Sequence, residues 1–188
     1  VGSEMCIRDR LFILLFYMLN INSQEFTHPG LLHSDSSLKR IRELVRNDIQ
    51  PAYGSFNIMR GMPEGKADYC IKGPFETISR AGRYGYTKDP CERDFNAAYY
   101  NAILWIVTGK EPHADKAMEI IRAYASTLKK IEGPDDPLCA GLQGFMLVNA
   151  AEIMRYTYTA DKYTNGWDAK DTPKVCLLYT SPSPRDRG

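Results

Sequence analysis

Residues 94–158 constrain the fold more than any other stretch: DFNAAYYNAILWIVTGKEPHADKAMEIIRAYASTLKKIEGPDDPLCAGLQGFMLVNAAEIMRYTY. They parse into three consecutive helices. The first runs from about Phe95 to Thr108 and closes at Gly109, since glycine enters a left-handed helix cap without a Cβ penalty. Phe95, Ala98, Tyr99, Ala102, Ile103 and Ile106 form one apolar stripe. Ala97, Tyr100, Leu104, Trp105 and Val107 fill most of the remainder, so this helix belongs in an interior. The second opens at Glu111 and Pro112 and runs to about Ile131. Ala114, Ala117, Met118, Ile121, Tyr124, Ala125 and Leu128 share one face of it, opposite Lys116, Glu119, Arg122, Lys129 and Lys130. That is an outer helix with one solvated side. After the turn GPDDP (133–137), the third runs from about Leu138 to Tyr158 and is again apolar on most sides. Inner, outer, inner predicts an all-α fold, a barrel of helix hairpins with inner helices hidden behind outer ones.

The pattern carries a geometric expectation. Short connections make successive helices antiparallel, so the first and third run the same way and their N-termini share one rim. The residues just before those termini are 83–94 and 137–143. Exposed amides and positive helix-dipole ends there favour an anion. On the third helix Asn149, Glu152 and Tyr156 fall at i, i+3 and i+7 and so share a face. A buried polar face is either satisfied by neighbouring helix ends or lines a wet cavity.

Ahead of this stretch, residues 61–93 lose all periodicity. A segment this long without structure of its own is unusual in a compact domain unless it serves function. Tyr69, Phe75, Ile78, Tyr84 and Tyr86 argue against disorder, and Arg80, Arg83 and Lys88 add positive charge. Arginine forks carboxylates and tyrosine stacks on sugar rings, so a grip on an anionic sugar chain is one reading. A loop that covers helix ends is the other. The entry segment FTHPGLLHSDSSLKRIRELVRNDIQP begins with a turn at Pro29 and Gly30. Ser34, Asp35 and Ser36 are N-cap residues for an amphipathic helix that buries Leu38, Ile41 and Val45. Pro51 suits the first turn of a short helix to about Met59. No carboxylate lies near His28 or His33 at metal or triad spacing, so both are expected to cap and pack.

A formal net charge of +1 gives no global pull towards nucleic acid or membrane, so recognition of a charged partner has to be local. Five cysteines and three histidines show no zinc spacing, and no metal or cofactor is expected. The ends need separate treatment. Residues 1–10 and 175–188 match nothing around them and read as non-native tails of translated adapter sequence. Residues 11–23 contain LFILLFYML, too short to span a bilayer but suited to the core of a secretory signal. The expected location is therefore periplasmic or secreted, with no membrane contact after signal cleavage. In that compartment a disulfide between Cys70 and Cys91 is open, but Cys139 makes an odd third, so thiols are expected.

The segments DFNAAYYNAILWIVTGKEPHADKAMEIIRAYASTLKKI and PLCAGLQGFMLVNAAEIMRYTY, with the entry segment FTHPGLLHSDSSLKRIRELV, resemble the alginate lyase superfamily of (α/α) toroid polysaccharide lyases. The resemblance covers roughly residues 26–167 of an expected domain at 26–174, and it implies an incomplete (α/α) toroid built of helix hairpins, of which this chain is the N-terminal portion. It implies β-elimination on a polyuronate such as alginate or glucuronan. There an Arg, Asn or Gln neutralises the uronate carboxylate, a Tyr or His removes the C5 proton, and a Tyr protonates the departing O4. In that family the catalytic Asn, His and Tyr come from later helices, and no histidine follows Ala114 here. Catalytic residues are thus unassigned and expected beyond this chain, which by itself is expected to be inactive. The candidate substrate contacts are Arg83, Tyr84 and Tyr86 in a lid, then Tyr99, Asn101, Gln143, Asn149 and Glu152 on the inner helices. The expected partner is an anionic polysaccharide. A non-catalytic helical-repeat module that binds carbohydrate or protein is the alternative. A glycoside hydrolase on the same scaffold needs two carboxylates across the cleft, for which only Asp94 and Glu152 are available.

Overall fold

A computed structural model describes residues 27–133 and 135–179 of the chain. The expected signal at 11–23, the tail at 1–10 and most of the tail at 175–188 lie outside the described residues. The described part is mostly helical. In order it contains α1 (Asp35–Arg46), α2 (Ala52–Gly61), β1 (Thr77–Ile78), α3 (Lys88–Thr108), α4 (Glu111–Thr127), β2 (Lys130–Ile131), α5 (Asp136–Cys139), α6 (Phe145–Thr157) and α7 (Asp171–Tyr179). Two 3₁₀ turns, Pro63–Gly65 and Gly82–Thr87, and one π segment, Ala140–Gly144, complete it.

Helix α3 is the centre of the core. Every residue from Asn101 to Val107 is buried, as are Phe95, Ala97 and Ala98. Helix α4 packs against it through Ala114, Ala117, Met118, Ile120, Ile121 and Tyr124. The two run antiparallel: Tyr124 near the end of α4 reaches Asp94 near the start of α3, and His113 at the start of α4 reaches Asn101. Helix α6 also packs on α3, and Trp105 late in α3 donates its indole N–H to Thr157 at the end of α6 (3.2 Å). The π segment ahead of α6 packs on α3 as well. Thus α3 and α6 run in the same direction, as the short connections require. The combined stretch Pro137–Thr157 is long and apolar enough to cross a membrane by length and composition, yet half of its most apolar window is buried in this core.

Local chemistry explains the boundaries. The Ser34 side chain accepts the Ser37 backbone N–H and caps α1, and Gly109 closes α3 in the left-handed conformation at φ 69°. Helix α3 begins at Lys88, well ahead of the expected Phe95. Its first turns, KDPCER, show no apolar repeat because their inward residues include Cys91 and the carboxylate of Asp94. Helix α4 ends at Thr127, short of the expected Ile131. There the backbone extends into β2, which pairs in parallel with β1: Thr77 opposite Lys130, Ile78 opposite Ile131. Residues 61–93 are therefore not featureless. They hold a 3₁₀ turn, a strand, a second 3₁₀ turn and the opening of α3.

Helix α7 rests on α4 and α6. Arg122 of α4 fixes it by a bidentate contact to Asp171, Nε at 3.0 Å and Nη2 at 2.8 Å, while the same guanidinium donates to the carbonyls of Asn165 and Gly166. Cys70 is exposed, Cys91 and Cys139 are buried, and none of the three forms a disulfide, as expected.

Candidate functional site

The entry segment lies across the shared face of α3 and α6, and four hydrogen bonds hold it there. Nδ1 of His28 meets Oε1 of Glu152 at 2.6 Å, and the same oxygen accepts the backbone N–H of Gly30 at 3.1 Å. Asn149 Oδ1 accepts the N–H of Leu32 at 2.9 Å. His33 Nε2 meets the Tyr99 hydroxyl at 2.5 Å. The His28 ring also stacks on Tyr156, with centroids 4.5 Å apart, and the Arg155 guanidinium covers the same tyrosine at 5.3 Å. The polar face that periodicity placed on the third helix is real, and its first occupant is the chain's own entry segment. His28 and His33 do more than cap and pack, because each meets an ionisable partner on an inner helix. The signal that could have found this is that polar face, set beside two histidines in a segment with turn chemistry. The separation of 124 residues between His28 and Glu152 hides it from any local pattern.

The Tyr99–His33 pair stands out chemically. Burial, together with neighbouring Tyr100, pushes the Tyr99 phenol up to about 12, and burial lowers His33 from its ordinary value. At neutral pH the phenol keeps its proton and the imidazole is uncharged. His33 Nδ1 is buried and has no hydrogen-bond partner among the described residues. A phenol and a neutral imidazole in contact can pass one proton between them and a bound molecule.

The rim residues form a second group. Arg83, Tyr84 and Tyr86 sit in the 3₁₀ turn Gly82–Thr87, directly before α3. The buried Thr87 hydroxyl anchors that turn, accepting the Ser79 N–H and donating to the Tyr84 carbonyl. Arg83 lies over the Tyr84 ring at 5.3 Å and has no ion pair among the described residues, whereas neighbouring Lys88 is paired with Asp89. Tyr86 is 69% exposed. Gln143 lies in the π segment at the same end of the inner helices, 6% exposed, with a buried Oε1 that meets no partner among the described residues. Tyr99 stands eleven residues into α3, about 16 Å of helix from its first turn.

Asn101 does not join either group. It is fully buried, its amide N–H₂ donates to the carbonyls of Glu64, Lys66 and Ala97, and its Oδ1 faces His113 Nδ1 at 2.7 Å. Every polar atom it has is used to pin the Pro63–Gly65 turn and α4 to α3. Asp94 is likewise no catalytic carboxylate. It is fully buried and accepts from the Tyr69 and Tyr124 hydroxyls and from the N–H groups of Lys72 and Gly73, all within 2.8 Å. With Asp94 saturated, the described residues of this face do not offer the two-carboxylate arrangement of a hydrolase. Among the described residues no group of three His, Cys, Asp or Glu side chains forms a metal site.

Compared with protein-family models, with curated proteins and with solved structures, the chain matches none.

Proposed function

We propose that this chain belongs to a secreted polysaccharide lyase that cleaves an anionic polyuronate, alginate or glucuronan, by β-elimination. In this reading α3, α4 and α6 are the first hairpins of an (α/α) toroid, and the α3–α6 face is one wall of its cleft. The observation that carries the proposal is the Tyr99–His33 contact, an uncharged imidazole against a protonated phenol on the wall of two parallel inner helices. Elimination needs one group to take the C5 proton while the electron pair forms the C4–C5 double bond, and a second to protonate O4 as the C4–O4 bond breaks. The Tyr99 phenol, held by neutral His33, suits the second task, and the group that takes the C5 proton is expected beyond this chain. Arg83, with no ion pair among the described residues and backed by Tyr84, suits the carboxylate of a sugar further along the polymer.

The test is turnover by the full-length protein, followed as ultraviolet absorbance of the unsaturated uronate. Tyr99→Phe and His33→Ala are expected to lower kcat by about 10²-fold or more, the ordinary worth of a general acid or base. Wild-type rates in both variants refute the assignment. A second reading, a non-catalytic carbohydrate-binding module, is favoured by the use of Glu152 and Asn149 to hold the entry segment. It gives polymer binding with no unsaturated product.

A further inference from the structure

Residues 28–32 cover the α6 side of the wall, and they are held unlike the rest of the fold. Of these five residues only Pro29 is buried, and Leu31 and Leu32 stand 49% and 57% exposed. Among the described residues no backbone-to-backbone hydrogen bond involves residues 29–32. The grip is polar and falls on two side chains of α6. Glu152 Oε1 takes the His28 ring nitrogen and the Gly30 N–H, and Asn149 Oδ1 takes the Leu32 N–H. Immediately downstream the chain is fixed, by His33 on Tyr99 and by the Ser34 cap of α1. A segment with little apolar burial beside a fixed point is the kind that opens locally without unfolding the core.

What this segment covers is a ready set of acceptors. Asn149 Nδ2 donates to the Phe145 carbonyl at 2.8 Å, so the amide is locked with Oδ1 turned to the segment. A carboxylate oxygen only accepts, so His28 Nδ1 is the donor to Glu152. The segment therefore gives three donors to Asn149 and Glu152, two backbone N–H groups and one imidazole N–H, and lays a flat ring on Tyr156. A sugar brings the same two things, hydroxyl donors and a ring face that stacks on tyrosine. The chain's own residues thus make the contacts that Asn149, Glu152 and Tyr156 would make to a polymer.

We propose that residues 28–32 are an autoinhibitory strap, which a polysaccharide displaces by giving its hydroxyls to Asn149 and Glu152 while the strap pivots at His33. The proposal rests on the reading of the α3–α6 face as a polymer-binding wall, and adds that this wall is closed in the free protein. Hydrogen exchange of the full-length protein, read at the Gly30 and Leu32 amides with and without alginate or glucuronan, tests it. Saturating polymer is expected to speed exchange at both amides by about 10-fold or more, while the Lys72 and Gly73 amides held by Asp94 stay as they were. His28→Ala loosens the strap at an exposed residue. With folding checked by thermal melting, it is expected to lower the half-saturating polymer concentration about 3- to 10-fold, the worth of one hydrogen bond. Polymer bound with both strap amides as protected as before overturns the proposal, as does unchanged or weakened polymer binding in His28→Ala. Polymer cleaved over a closed strap refutes this proposal alone. A displaced strap with no unsaturated product refutes the lyase reading alone, and absence of polymer binding refutes both.

Discussion

Asp94→Asn is the substitution whose effect can be worked most fully from the structure. The Asp94 carboxylate takes four hydrogen bonds, two on each oxygen: Tyr69 and Lys72 on Oδ1, Gly73 and Tyr124 on Oδ2. These tie the 69–73 segment and the end of α4 to the opening of α3. Asparagine keeps one acceptor oxygen and presents an N–H₂ to the other two donors. Two bonds to a charged group are lost, each worth about 1.5–3 kcal/mol, and the stranded donors stay buried. Since the bonds share one carboxylate their losses do not add, and the expected cost is about 3–4 kcal/mol. For a chain of this size that lowers Tm by roughly 6–15 °C. Tyr69→Phe and Tyr124→Phe each remove one bond to the carboxylate and should cost about 1.5–3 kcal/mol. Urea denaturation followed by circular dichroism gives the totals, and hydrogen exchange at the Lys72 and Gly73 amides locates them. Protection at one of those two amides, the one left facing the new N–H₂, should fall in Asp94→Asn by more than global stability does. A loss under about 1 kcal/mol with both amides still protected refutes the reasoning.

Arg122→Ala should cost about 2 kcal/mol, less than a fully buried pair because the guanidinium is partly exposed, and limited proteolysis should then cut between α6 and α7. Burial alone would raise the Asp171 carboxyl, but hydrogen bonds and charge from Arg122 hold it below its ordinary value. This pair's contribution is therefore present above about pH 4 and lost as pH falls through the lower folded value. On the alkaline side burial and Asp94 hold the Tyr69 phenol well above its usual range, and burial, Cys91 and Asp94 do the same for Tyr124. Folded pKa values raised above about 10 give stability that is complete below that pH and declines above it, so urea midpoints should fall between about pH 10 and 12. His33 and His113 are lowered by burial, so their contribution is complete above about pH 6.5 and is lost as pH drops. Replacing both by Gln should flatten that acid limb.

The helices were legible where burial is apolar. The stripe from Phe95 to Ile106, the Gly109 cap and the Ala114–Tyr124 part of the α4 face follow from helical spacing and appear where it put them, while Leu128 lies past the helix end and Ile120 is buried outside that stripe. Helix α3 was misjudged at its start because Asp94 is buried by hydrogen bonds, and a buried carboxylate breaks an apolar pattern. The β1–β2 pair left no trace, since two-residue parallel strands are too short to alternate. Asn101 read as a substrate contact because a lone polar residue on an inner helix invites that inference. Its partners, the carbonyls of Glu64 and Lys66, belong to a turn whose position depends on the whole fold. The same holds for His28 with Glu152 and His33 with Tyr99. Each residue was visible, but the contact between them comes from the path of the entry segment over two packed helices.

The central claim is that the protein breaks a polyuronate by elimination, and the mass of its products tests it most directly. Elimination leaves a C4–C5 double bond and adds no water. Full-length protein incubated with alginate and with glucuronan should give oligosaccharides lighter by one water than hydrolysis products, absorbing in the ultraviolet. Products carrying the added water, or polymers that stay intact while bound, would contradict the account.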